Sequence, residues 1–145
     1  MGVTTAMCTS FKGELLGGTH DLDSDTIKLA LIKSGESGTY GAATTNYSDV
    51  TGNSDEASGT NYSAGGNTLG SAAITTSGTT ALVDFADTVF SDATVSASGA
   101  IIYNSDQGNK AIAIISFGGT VASTAGYFTV SFPAADASNA IIRIA

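Results

Sequence analysis

Tryptophan is absent from this 145-residue chain, and cysteine, histidine and proline occur once each, at Cys8, His20 and Pro133. A single cysteine excludes an internal disulfide framework, so the fold must stand on packing. One cysteine and one histidine cannot supply the N and S ligands of a structural zinc site. Basic residues are scarce: five Lys and Arg face 13 Asp and Glu, a net charge of −8. So few cations cannot lay a phosphate-tracking stripe, which argues against nucleic acid as a partner. The acidic balance likewise argues against an anionic membrane surface. No apolar run reaches about 18 residues, so no membrane-spanning helix is expected. No basic stretch followed by an apolar one marks the start of the chain, so no secretory signal is expected either.

The same scarcity thins the catalytic options. A Ser-His-Asp arrangement would have to use His20, and Ser77 and Ser98 both lack the Gly-x-Ser-x-Gly elbow. Cys8 could pair with His20, but it falls on an apolar stripe where a buried, inert thiol is the better reading. Gly65-Gly66 is no phosphate loop, because no Lys-Ser or Lys-Thr follows. A glycosidase-like pair of carboxylates is a matter of spacing in space that sequence does not display. Without tryptophan to stack sugars, the expectation is no enzyme, no catalytic residue, no cofactor and no metal.

What is present is strand-forming sequence. Phe128, Val130 and Phe132 alternate with Tyr127, Thr129 and Ser131, the period of a half-buried strand. Residues 111–117 are apolar on both faces apart from Ser116, as in a central strand, and Gly118-Gly119 is expected to break that run. Ile101-Ile102 and Ile141-Ile142 have the same two-faced character, in expected strands over 99–103 and 139–145. The loop 104–109 carries Asn, Asp and Gly, which suit a longer antiparallel hairpin. Pro133 stands where pairing should end.

Upstream, one helix is expected over residues 3–16, capped by Thr4 or Thr5. Met7, Phe11 and Leu15 recur at four-residue spacing on one face, with Cys8 and Leu16 extending the stripe and Gly17-Gly18 ending it. That stripe either docks on the core or meets a partner. Asp21, Asp23 and Asp25 resemble the start of a calcium loop, but Thr26 and Ile32 stand where Gly and Glu are required, so a solvated lead-in is expected. Residues 26–33 read as a strand with Ile27, Leu29 and Leu31 inward and Lys28 partly wet. Residues 34–78 then form a long polar excursion with isolated Tyr40, Tyr47 and Tyr62, holding short strands and an exposed stretch around residues 49–58. Asp49, Asn53, Asp55 and Glu56 there could hold a cation, but solvated loop is the stronger reading. Short strands over 68–74, 81–85, 88–90 and 94–96 bring the count to eight to ten. The expected fold is one mainly β domain over 1–145, an antiparallel β-sandwich or jelly roll with one short N-terminal α-helix.

Charged residues make up only 12% of the chain, about half the usual share. Ser, Thr, Asn and Gly must therefore cover the surface, as in extracellular and virion β proteins. Four segments carry a resemblance. Residues 4–16, Thr-Thr-Ala-Met-Cys-Thr-Ser-Phe-Lys-Gly-Glu-Leu-Leu, look like the opening helix of a family of small structural proteins of tailed bacteriophages. Gly59-Thr60-Asn61-Tyr62-Ser63-Ala64-Gly65-Gly66 resembles that family's Gly-x-x-Tyr-x-x-Gly-Gly turn. Residues 98–104 and 112–117 resemble its C-terminal strands. Proteins of this type are similar to capsid decoration, or cement, proteins. The resemblance implies a module on the outside of the capsid, made in the host cytoplasm, with the major capsid protein as partner and self-assembly as a homotrimer. It transfers no active-site residue. Partner contacts would fall to Met7, Phe11 and Leu15 of the helix or to Tyr40, Tyr47 and Tyr62 of the polar excursion. The alternative is a tail or fibre component that stacks host glycans on those tyrosines.

Overall fold

A computed structural model describes residues 2–70 and 72–144. Strands β1 (Gly2–Val3) and β2 (Ala6–Met7) lead into helix α1 (Thr9–Leu16) and strand β3 (Ile27–Lys33). Strand β4 (Thr39–Tyr40), helix α2 (Ser48–Gly52) and strand β5 (Asn67–Thr68) follow. The hairpin β6 (Ala73–Ser77) and β7 (Thr80–Asp84) precedes two long strands, β8 (Thr88–Asn104) and β9 (Lys110–Val130), and β10 (Ile142–Ile144) comes last. The result is mainly β and sandwich-like, with antiparallel sheets and little helix, as the hydrophobic patterning predicts.

The main sheet has the order β2-β9-β8-β3-β5, and a second sheet has the order β10-β7-β6. In the centre of the main sheet Ala30 pairs with Ile101 and Ile101 with Ile114, while Leu29 pairs with Ile102. These side chains are buried because β3, β8 and β9 are apolar on both faces; burying each such aliphatic contributes about 2 kcal/mol. The second sheet adds Val83, Phe85 and Ile142 to the same core. Residues 104–109 form the β8–β9 hairpin loop, as expected, with a 3₁₀ turn at Ser105–Gln107 and a left-handed Gly108.

Several elements differ from the sequence reading. The helix begins at Thr9, not at residue 3, and its N-cap is Cys8 with no side-chain capping bond. Residues 2–8 are drawn out along neighbouring strands instead. Thr4 N donates to Tyr40 O, Cys8 N donates to Ile112 O, and Ala6 and Met7 pair with Ile114 and Ala113. Thr5 Oγ1 accepts from Ser116 N at 2.9 Å. The free edge of β9 thus outcompetes the first helical turn, which short helices form only weakly in isolation. Leu16, placed on the apolar stripe by its spacing, is 91% exposed. The polar excursion holds a second helix, α2, that the sequence reading lacks.

The short strands 88–90, 94–96 and 99–103 merge into β8, and 110–117 merges with the expected strand 127–132 into β9, which ends at Val130 and leaves Ser131 and Phe132 outside it. Gly118-Gly119 does not end the strand. It ends the register: between Ala97–Val121 and Gly99–Ser116, two steps on β8 face five on β9, a large bulge made possible by Gly118 at φ +77°. Phe128 and Val130 face inward and Tyr127 outward, as the alternation predicts. The expected strand over 68–74 is interrupted, β5 ending at Thr68 and β6 starting at Ala73. Its Ser71 lies outside the described residues, as does Ala145 of the expected strand 139–145, which narrows to β10.

Candidate functional site

The residue types that could do chemistry gather in the polar segment 37–66, where it crosses the edge of β3. Asp55 is fully buried, and its carboxylate collects donors from three directions. Ser37 N and Gly38 N donate to it at 3.0 and 2.8 Å, and the Tyr40 hydroxyl donates at 2.6 Å. Lys33 Nζ lies 3.3 Å away. Burial raises the pKa of this carboxyl, but Tyr40, the two amides and Lys33 together outweigh it and hold the group well below its usual range. Burial, followed by the Asp55 hydrogen bond, pushes the Tyr40 phenol up to about 12.

Glu56 points the opposite way and anchors a second cluster. Its carboxylate accepts from the Tyr47 hydroxyl, from the Tyr62 hydroxyl at 2.9 Å and from Gly65 N at 2.6 Å. The Tyr62 oxygen accepts in turn from Leu31 N at 2.9 Å, which satisfies a β3 edge amide with a side chain instead of a strand. Tyr47 stacks on Tyr103 with ring centroids 4.4 Å apart, and the Tyr103 hydroxyl donates to Gly65 O at 2.7 Å. Burial raises the phenols of Tyr47 and Tyr62, with Glu56 adding to the shift, and it pushes Tyr103 up to about 12. All four phenols are therefore neutral hydrogen-bond donors across the physiological range.

The Gly-x-x-Tyr-x-x-Gly-Gly turn acquires a physical reading here. A Cβ on Gly59 would lie 1.9 Å from Thr94 O, and one on Gly66 would lie 1.8 Å from Leu29 O. Gly66 also sits at φ +74°. The glycines let this segment press backbone to backbone against β8 and β3, with Tyr62 between them.

A third cluster is built round His20, which is buried. Its Nε2 is 2.9 Å from Glu14 Oε1, and its Nδ1 is 3.0 Å from Asn104 Nδ2. The Asn104 amide also donates to Asp25 Oδ2 at 2.8 Å and accepts from Asp106 N. An amide donor facing Nδ1 assigns the proton of a neutral ring to Nε2, which then donates to Glu14. The Asn104 bond, then those from Asp21 and Gln107, lowers the Asp25 carboxyl. Asp25 is thus a tether between the 21–25 turn and the hairpin loop, not the solvated lead-in expected of it. Cys8 is fully buried, and burial first, with Asp49 and Glu14, pushes its thiol up to about 12. The thiol is protonated and inert at neutral pH, as its place among apolar residues predicts.

The partner contacts expected from the sequence do not form one surface. Phe11 is fully buried under β9, Tyr40 is 2% exposed and Tyr62 is 8% exposed. Tyr47 is half-buried and takes up its faces and hydroxyl internally. Stacking sugars on these tyrosines is therefore corrected: the rings are spent on the fold. Met7 lies on β2, not on the helix, and with Leu15 it is half-buried at the border of the core. The exposed stretch expected over 49–58 holds only in part: residues 51–54 and Ser58 are exposed, whereas Val50, Asp55 and Ala57 are buried. Of its four polar residues, Asn53 and Asp55 meet at the Tyr40 hydroxyl, while the Asp49 and Glu56 carboxylates face other partners. Asp49 accepts from Thr45 N at 2.9 Å, Asn53 donates to Tyr40 at 3.1 Å, and Asp55 and Glu56 face opposite clusters. Among the described residues no group of three or more His, Cys, Asp or Glu is placed to hold a metal ion. Sequence reading named Asp55 and Glu56 as possible cation ligands and not as anchors, and it gave no anchoring role to Tyr103 or Asn104. The one signal for Asp55 and Glu56 was the presence of carboxylates within a stretch otherwise nearly free of charge.

A large apolar depression lies elsewhere, between α1 and the second sheet. It measures about 510 Å³ and is lined by Leu15, Leu22, Leu82, Val83 and Ile142, with His20 at its border. Comparison with protein-family models, with curated proteins and with solved structures returns no match. The class that fold and site define is thus an antiparallel β-sandwich-like module whose tyrosines and carboxylates brace a polar segment against the sheet.

Proposed function

We propose that this chain is a structural protein of a tailed-phage virion, a decoration protein that binds the outside of the capsid and stabilises the coat lattice. The reading rests on the likeness of residues 4–16 and 59–66 to that protein type. The brace adds support, because it commits the polar side chains to holding a shape and leaves a surface of Ser, Thr, Ala and Gly. Such a surface suits burial against a large protein partner, since few charges need be stripped of water. The partner in this reading is the major capsid protein, with further copies of the chain beside it. No observation favours the tail or fibre alternative once Tyr40 and Tyr62 are internal.

The test adds purified, labelled chain to heads that lack it. Lattice-like labelling over the whole head, with a raised temperature of head rupture, is the expected result. Labelling confined to the tail, or no labelling by a folded chain, overturns the proposal.

A further inference from the structure

The His20 ring has both nitrogens committed and no access to water. Its side chain is fully buried, with Nε2 on Glu14 and Nδ1 on Asn104, and the Phe11 ring packs on it with centroids 5.0 Å apart. Asn104 is fully buried too, and its amide has no group to spare. One N–H faces His20 Nδ1, the other donates to Asp25 Oδ2, and the oxygen accepts from Asp106 N. Through these bonds Asn104 fastens the 21–25 turn to the hairpin loop 104–109. Thr26 N, which donates to Asp106 Oδ2 at 2.7 Å, and Ser105 N, which donates to Thr26 O at 3.0 Å, extend the join.

A second proton on the ring can go only to Nδ1, since Nε2 already carries one. The new N–H then points at the amide nitrogen of Asn104, donor against donor. Turning the amide over does not help, because its oxygen then meets the Asp25 carboxylate and its nitrogen meets Asp106 N–H. No orientation of Asn104 serves a charged ring, Asp25 and Asp106 at once. In a site closed to water, an unmet donor is costly.

The charges round the ring nevertheless draw the proton in. Glu14 faces it from α1, Asp25 from the turn through Asn104, and Asp106 from the hairpin loop by the same route. Asp21 lines the depression beside it, and the second sheet across that depression presents apolar side chains, Leu82, Val83 and Ile142 among them. Of the cations on these elements, Lys12 lines the neighbouring depression and Lys110 donates to Gln107 O at 3.4 Å. Histidine ordinarily changes charge between about pH 5 and 8. We propose that His20 is a proton-operated latch: a proton taken up at Nδ1 turns the Asn104 bond into a repulsion and unfastens the 21–25 turn from the hairpin loop. Asp21 and Leu22 of that turn line the 510 Å³ depression, so release of the latch reshapes it. This inference rests on the His20 cluster and not on coat binding, so either can fail alone.

NMR of the full chain between about pH 7.5 and 5.5 tests it, a window in which ordinary carboxylates stay ionised. The ring signals of His20 report the proton. Amide exchange, corrected for its intrinsic pH dependence, reports the latch in the same sample. Protection at Asp106 and Thr26 is expected to fall about 10-fold or more, with the midpoint of the ring titration, while Ile102 keeps its protection. His20→Gln takes up no proton, so both amides keep one level of protection across the window. If that variant does not fold, the wild type still decides, because ring and amides are read together. Constant protection while the ring titrates, a ring that stays neutral throughout, or the same loss in a folded His20→Gln overturns the proposal.

Discussion

The central sheet and the polar segment beside it are held by opposite means. In the sheet, Leu29, Ile101, Ile102, Ile112 and Ile114 are fully buried against one another, and the backbone ladder takes care of its own polar groups. In segment 37–66 few aliphatic side chains are available, and two carboxylates do the ordering. Asp55 gathers Ser37, Gly38, Tyr40 and Lys33, while Glu56 gathers Tyr47, Tyr62 and Gly65. The first region tolerates loss of a contact by degrees. The second is stable only while every partner is present, because an unpaired buried polar group costs far more than a good hydrogen bond contributes.

Substitutions can break or sharpen this contrast. The largest effect is expected in the sheet: Ile102→Ala leaves a cavity at a fully buried position and lowers unfolding free energy by about 4 kcal/mol in urea titration. Asp55→Asn follows at about 3 kcal/mol, since it leaves Lys33 unpaired and mismatches the donors from Ser37, Gly38 and Tyr40. The same residue sets an acid limit. Its folded pKa lies below the ordinary aspartate value of 3.8, so its contribution is complete above about pH 4 and fades as pH falls further. Melting temperature measured against pH therefore drops below about pH 4 in wild type, and Asp55→Asn flattens that drop.

Tyr62→Phe keeps the ring and removes the hydroxyl shared by Leu31 N and Glu56. A loss of about 2 kcal/mol is expected, with the melting of the sheet still cooperative. Thr124→Lys, on an exposed part of β9, changes stability by about 0.5 kcal/mol or less. A large effect there would show that this part of the strand is packed in a way the contrast does not include.

The same contrast explains what could be read from the sequence. Period-two alternation at Phe128 and Val130 and the two-faced runs at 101–102 and 111–117 report burial directly, so the sheet and the hairpin loop 104–109 were legible. Strand length was not. Gly118-Gly119 looks like a break locally, yet pairing resumes at Val121 because β8 continues opposite. The start of the helix was illegible for a related reason: Met7 has helical spacing to Phe11, but β4 and the edge of β9 claim the backbone of residues 2–8. The brace was the least legible part. Tyr40, Tyr47, Tyr62, Asp55 and Glu56 follow no period, and a hydrogen bond between Tyr103 and Gly65 spans 38 residues of chain. The residues themselves were singled out. Their direction, inward and not outward, depends on the fold that they help to hold.

The claim at the centre of this account is that segment 37–66 is as fixed as the sheet it braces, through two carboxylate anchors, Asp55 fully buried and Glu56 half-buried. Amide hydrogen exchange followed by NMR tests it at single residues. The account predicts that Gly38 and Gly65, which donate to Asp55 and Glu56, and Leu31, which donates to Tyr62, exchange on the slow timescale of Ile102. Fast exchange at Gly38 and Gly65 while Ile102 stays protected would contradict it.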